Sequence, residues 1–166
     1  AAFFYMAWRV AVFLFMIPNA TSRSLFAEGS HFEDQLGVNA QRSHYFTFFL
    51  LVPGVVLVIA LGKWILLMFG ASYSANALTL LQILAVSSMP LAITRIYFSI
   101  IQVQKRINEL IALRGFIAVV TLLGAYLAVK ATGDILGVGY AWLAAQILVS
   151  IYVILAMKMR GIKGLT

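Results

Sequence analysis

The chain has no cysteine. Disulfide frameworks, thiolate metal sites and cysteine nucleophiles are excluded together, while the compartment is left open. Charge is scarce too: 10% of the 166 residues are Asp, Glu, Lys or Arg, against about 25% in an ordinary soluble domain. Carboxylates are the rarest of these, five against twelve Lys and Arg. With 63% hydrophobic residues and a mean hydropathy of +1.00, too little polar surface remains to clothe a water-soluble globule. Lipid is the solvent that fits this composition, so the bilayer is the first expected partner. A spanning helix takes about 20 mostly apolar residues, and 166 residues then hold five or six crossings with short loops.

The charges that are present divide the chain. Apolar runs fall at 1–20, 46–69, 75–103, 108–129 and 136–158. No charge interrupts Trp64 to Thr94, but Gly70-Ala71-Ser72-Tyr73-Ser74 is a turn signal. Gly70 suits a left-handed helix C-cap and Ser74 an N-cap for the next helix. Gln104-Lys105-Arg106-Ile107 and Lys130-Ala131-Thr132-Gly133-Asp134-Ile135 mark two further breaks. In the longest connection, 21–45, Ser30 and Glu33 have capping-box spacing. Phe32, Leu36, Ala40 and Tyr45 there alternate with Glu33, Asp34, Gln41 and Arg42, which predicts an amphipathic helix at 31–45 lying in the interface. The expected fold is all-α: a polytopic bundle of about five spanning helices plus that interfacial helix.

The net charge of +7 belongs, in a membrane protein, to loops that face anionic lipid, so no nucleic-acid partner is expected. Arg23, Arg42, Lys105, Arg106, Arg114, Lys158, Arg160 and Lys163 fall on one side of five alternating crossings, and Lys63 and Lys130 on the other. That asymmetry predicts an outside N-terminus and a cytoplasmic C-terminus. The chain opens at Ala1 inside an apolar run that contains Arg9, with no small-residue cleavage pattern after it. A segment of a longer polytopic protein of the cytoplasmic membrane is the expectation.

Two charges fall within spans, Arg9 and Arg95. An Arg at the centre of a spanning helix costs about 2.5–3.5 kcal/mol on insertion scales, so each needs a reason or a route to the headgroups. Ser88, Arg95, Ser99 and Gln102 share one helix face by spacing. Tyr5 and Arg9, Arg114 and Thr121, and Trp142 and Gln146 place polar groups on three other helices in the same way. A water-filled cavity between helices is the expectation. Glu28, Glu33, Asp34, Glu109 and Asp134 all lie in loops or at span ends, so the cavity is cationic. Arg9, Arg95, Ser88, Ser99 and Gln102 are its candidate substrate-binding residues, and a phosphate, diphosphate or acidic sugar is the matching ligand. Arg114 also reads as an anchor at the start of its span. His31 and His44 read as packing or interfacial residues. No metal, cofactor or catalytic residue is expected. Asn19-Ala20-Thr21 matches a glycosylation acceptor, but at a cytoplasmic membrane edge, where the match has no meaning. Pro18, Pro53 and Pro90 fall in spans, where proline is tolerated.

Ile17-Pro18-Asn19-Ala20, Ser24-Leu25-Phe26-Ala27-Glu28-Gly29 and Val52-Pro53 begin a set of ordered segments. Leu66-Leu67-Met68-Phe69-Gly70 with Tyr73, and Ala77 with Leu80-Leu81-Gln82-Ile83-Leu84, continue it. Gln102-Val103-Gln104-Lys105-Arg106 and Gly137-Val138-Gly139-Tyr140-Ala141-Trp142 complete it. In that order and spacing the chain resembles the C-terminal half of polysaccharide or oligosaccharide flippases of the multidrug/oligosaccharidyl-lipid/polysaccharide (MATE-like) exporter superfamily. The resemblance implies two six-helix lobes around a central cavity. It also implies transport of lipid-diphosphate-linked oligosaccharide to the outer leaflet by alternating access, for surface polysaccharide, without enzymatic chemistry. Residues 1–166 would then be a partial second lobe, with the N-terminal lobe of the same chain as a partner. The resemblance carries over no binding residue; Arg9 and Arg95 rest on the charge argument. Two alternatives stand beside it: a drug or metabolite antiporter of the same superfamily, or a membrane enzyme acting on lipid-linked sugars.

Overall fold

The computed structural model describes residues 2–31, 36–132 and 136–159, and among them every regular element is a helix. Five helices follow one another: α1 (Ala2–His31), α2 (Leu36–Leu67), α3 (Ala71–Val103), α4 (Ile107–Thr132) and α5 (Leu136–Met159). All five are long and apolar enough to cross a membrane, so the chain is a multi-pass, all-α membrane protein. Pro18, Pro53 and Pro90 lie inside α1, α2 and α3.

The 21–45 connection is built differently from its expected form. No separate interfacial helix occurs among the described residues; α1 continues to His31, and α2 begins at Leu36 and runs unbroken into its apolar span. Ser30 donates to the Ala27 carbonyl within α1 at 2.8 Å instead of capping a new helix, and Phe32, Glu33 and Asp34 lie outside the described residues. The physical reason is length. At about 1.5 Å per residue, α1 and α2 are each about 45–48 Å long, against a hydrocarbon core of about 30 Å. The polar residues of 21–31 and 36–45 therefore belong to overhangs of two spanning helices.

The turns follow the sequence signals more closely. Gly70 has φ +129° and ψ 151°, a region open essentially to glycine. Its carbonyl accepts from Tyr73 and Ser74 N–H at 3.1 and 3.3 Å. Gly70, not Ser74, is the N-cap of α3, and Ser74 is buried one turn inside the helix. At the next turn Lys105 adopts φ 56°. Arg106 N–H donates to the Ile101 carbonyl at 2.8 Å and Lys105 N–H to Gln102 at 3.0 Å, the paired bonds of a Schellman motif.

The central helix is α3, which packs on all four others. Leu80, Leu81, Leu84, Ile96, Tyr97, Ile100 and Ile101 are fully buried along it. Lipid tails are as apolar as these side chains, so close packing and interhelical hydrogen bonds hold such a bundle together. One bond joins α1 to α3: Ser99 Oγ donates to the Ser22 carbonyl at 2.6 Å. Another joins α1 to α2: Thr47 Oγ1 donates to Thr21 Oγ1 at 2.7 Å. The α4–α5 seam uses small residues; a Cβ on Gly137 would stand 2.5 Å from the Ala128 Cβ. Helix α4 rests on α5 and barely touches α3, which leaves a cleft between α3 and α4.

Candidate functional site

That cleft has a volume of about 240 Å³, and Leu91, Thr94, Arg95, Phe98, Arg114, Ile117, Trp142 and Gln146 line it. Arg95 enters from α3, eight residues before the helix ends at Val103. Arg114 enters from α4, seven residues after its start at Ile107, or about 10 Å along the axis. Gln146, 1% exposed, and Trp142 come from the middle and first half of α5. The guanidinium of Arg114 lies over the Phe98 ring, 5.4 Å from its centroid, a cation–π contact. An edge-to-face contact of 5.3 Å with Trp8 holds Trp142 from the α1 side.

Several polar atoms here are buried and have no partner among the described residues: the donors Arg95 Nε and Trp142 Nε1 and the acceptor Gln146 Oε1. Thr121 Oγ1 is in the same condition, two turns beyond Arg114 on the same face of α4. A buried donor or acceptor without a partner costs about 1–3 kcal/mol, so three in one cleft are expensive. Positive charge compounds this, because two guanidiniums share the space. The nearby carboxylate is committed elsewhere: Glu109 accepts from the Tyr97 hydroxyl at 2.5 Å and pairs with Arg106. That is the only ion pair among the described residues. Arg95 is half-buried and Arg114 exposed, so the arrangement can hold an anion at the mouth of the cleft, with guanidinium and indole N–H donors among its lining residues.

Of the residues expected to form the cavity, the structure brings only Arg95 to it. Arg9 is exposed at the opposite end of the bundle. Its guanidinium sits 5.3 Å from the Tyr5 ring centroid, in a shallow groove with Phe13 and Phe69 beside the α2–α3 turn. Phe3, two turns away, meets Tyr73 of the same turn at 5.4 Å. Arg9 therefore stands apart from the cleft, exposed on the bundle surface, where a long side chain can reach towards the headgroups. Ser88 is buried and donates to the Ala85 carbonyl at 2.5 Å. Ser99 faces α1, where Ser22 also donates to the Arg95 carbonyl at 2.9 Å. Gln102 is half-buried further along α3 and does not line the cleft. Arg114, Trp142 and Gln146 were visible as polar positions on α4 and α5, but sequence spacing did not single them out as one site.

Comparison with known protein families, with curated proteins and with solved structures finds no match.

Proposed function

We propose that this chain is part of a flippase that moves lipid-diphosphate-linked oligosaccharide across the cytoplasmic membrane by alternating access, for surface polysaccharide. The observation that carries the reading is the presence of Arg95 and Arg114 in one cleft with two buried donors, Arg95 Nε and Trp142 Nε1, that have no partner among the described residues. An anion there relieves the charge repulsion and accepts from Arg95 Nε and Trp142 Nε1. Small-molecule pockets usually hold about 300–1,000 Å³; a cleft of about 240 Å³ takes the diphosphate and leaves the sugars outside it. The lipid tail stays among apolar surface, and the exposed face of α4, with Leu122, Leu123 and Leu127, provides such surface beside the cleft.

The reading includes an orientation. Arg42, Lys105, Arg106 and Lys158 lie towards the end of the bundle where α1, α3 and α5 finish, and the excess of basic residues favours the cytoplasm for that end. The diphosphate then meets the cleft from the side on which lipid-linked sugars are assembled. A carrier of cationic drugs is less well supported, because Glu109 is already occupied by Arg106 and Tyr97.

The test is substitution of Arg95 by Ala and by Lys in the chain's own gene, with surface polysaccharide and its lipid-linked precursor measured together. Hydrogen bonds to charged groups are worth about 1.5–3 kcal/mol, so Arg95→Ala is expected to lower export roughly 10- to 100-fold. Precursor accumulates as export falls, and Arg95→Lys retains part of the flux. Undiminished export in Arg95→Ala removes the cleft from the mechanism.

A further inference from the structure

A second cavity lies apart from the cleft, between the overhang of α1 and the start of α2. It has a volume of about 900 Å³, and its lining runs from Glu28 and Asn39 through Arg42 and Ser43 to Phe46 and Phe49. The order follows the helices. Gly29, next to Glu28, packs against Val103, where a Cβ would meet the Val103 side chain at 3.0 Å. The polar end of the groove is therefore level with the α3–α4 turn and its Lys105 and Arg106. Phe46 and Phe49 lie one and two turns further along α2, towards the middle of the bundle. Thr21 also lines the groove and is held behind it by a hydrogen bond of 2.7 Å from Thr47 Oγ1. Glu28 and Arg42 are both exposed, and neither has an ion-pair partner among the described residues.

We propose that this groove binds a phospholipid with an ethanolamine-type headgroup. Charge complementarity selects it. Arg42 offers a guanidinium fork for a phosphate, and Ser43 and Asn39 add neutral donors beside it. Glu28 offers a carboxylate that needs a cation with N–H groups to donate. A zwitterionic headgroup with a phosphate and a primary ammonium satisfies both. A glycerol headgroup has a phosphate but leaves Glu28 without a cation. A choline headgroup has a cation but no N–H. Phe46 and Phe49, exposed and apolar, then lie along the first part of an acyl chain. The site is independent of the cationic cleft and stands or falls separately.

The experiment uses the full chain purified in mild detergent at about 0.1 M salt, where exposed charges are only partly screened. Retained lipid is counted by native mass spectrometry from equal mixtures of phosphatidylethanolamine, phosphatidylglycerol and phosphatidylcholine. Wild-type chain is expected to retain phosphatidylethanolamine over both others. Exposed ion pairs are worth up to about 1 kcal/mol, so Glu28→Gln is expected to lower the ethanolamine-over-glycerol ratio by up to about fivefold. Arg42→Gln reduces retention of all three lipids. Both side chains are exposed, and an unchanged circular dichroism spectrum and elution volume confirm that the variants fold. Equal retention of the three lipids by wild type, or an unchanged ratio in Glu28→Gln, overturns the proposal.

Discussion

The hydroxyl of Tyr97 donates to the Glu109 carboxylate at 2.5 Å, from a side chain with no exposed surface. Glu109 also pairs with Arg106, so this acidic group at the α3–α4 turn is held away from the cleft. Arg95 and Arg114 are left as its only charges among the described residues.

Tyr97→Phe keeps the ring and removes this bond. A hydrogen bond to a charged group contributes about 1.5–3 kcal/mol, and the variant is expected to lose about that much stability. Unfolding in graded denaturing detergent measures it, and the loss should shrink when Glu109 is already replaced by Gln.

Gln146→Leu tests whether the cleft is built at the expense of stability. Gln146 Oε1 is buried without a partner, so an apolar side chain of similar size removes a cost of about 1–3 kcal/mol. The variant is expected to be at least as stable as wild type by the same unfolding assay, and diphosphate binding is expected to be kept, because an amide oxygen has nothing to donate to an anion.

Lys105 holds φ 56° at the α3–α4 turn, a left-handed conformation that costs roughly 1–2 kcal/mol for a residue with a side chain. Lys105→Gly is expected to raise stability by about 1 kcal/mol, because the Schellman bonds to Ile101 and Gln102 are kept. Thermal unfolding of the two proteins in the same detergent compares them.

The number of spanning helices was legible because the breaks are chemical: Gly70, the Gln104–Arg106 run and the charges beside each span are signals that lipid-facing sequence cannot carry. The interfacial helix was not legible as an overhang. Residues such as Leu36, Ala40, Gln41 and Arg42 repeat with the same helical period whether the axis bends at the membrane surface or continues through it. Arg95 stood out as a charge inside an apolar run, yet its companions did not. The rotation of each helix about its axis depends on packing, and α3 has neighbours on every side. Ser99 thus turned to α1 as a hydrogen-bonding link to Ser22, although it lies only one turn from Arg95. Arg9 looked equivalent to Arg95 because its depth depends on the level of the α2–α3 turn, a tertiary property.

The central claim is that Arg95 and Arg114 hold a diphosphate. Its most direct test is equilibrium binding of a polyprenyl diphosphate to the purified chain, with wild type, Arg95→Ala, Arg114→Ala and Arg9→Ala compared. Each cleft substitution is predicted to weaken binding roughly 10- to 100-fold, and Arg9→Ala is predicted to leave it unchanged. Equal affinity in wild type, Arg95→Ala and Arg114→Ala would contradict the account.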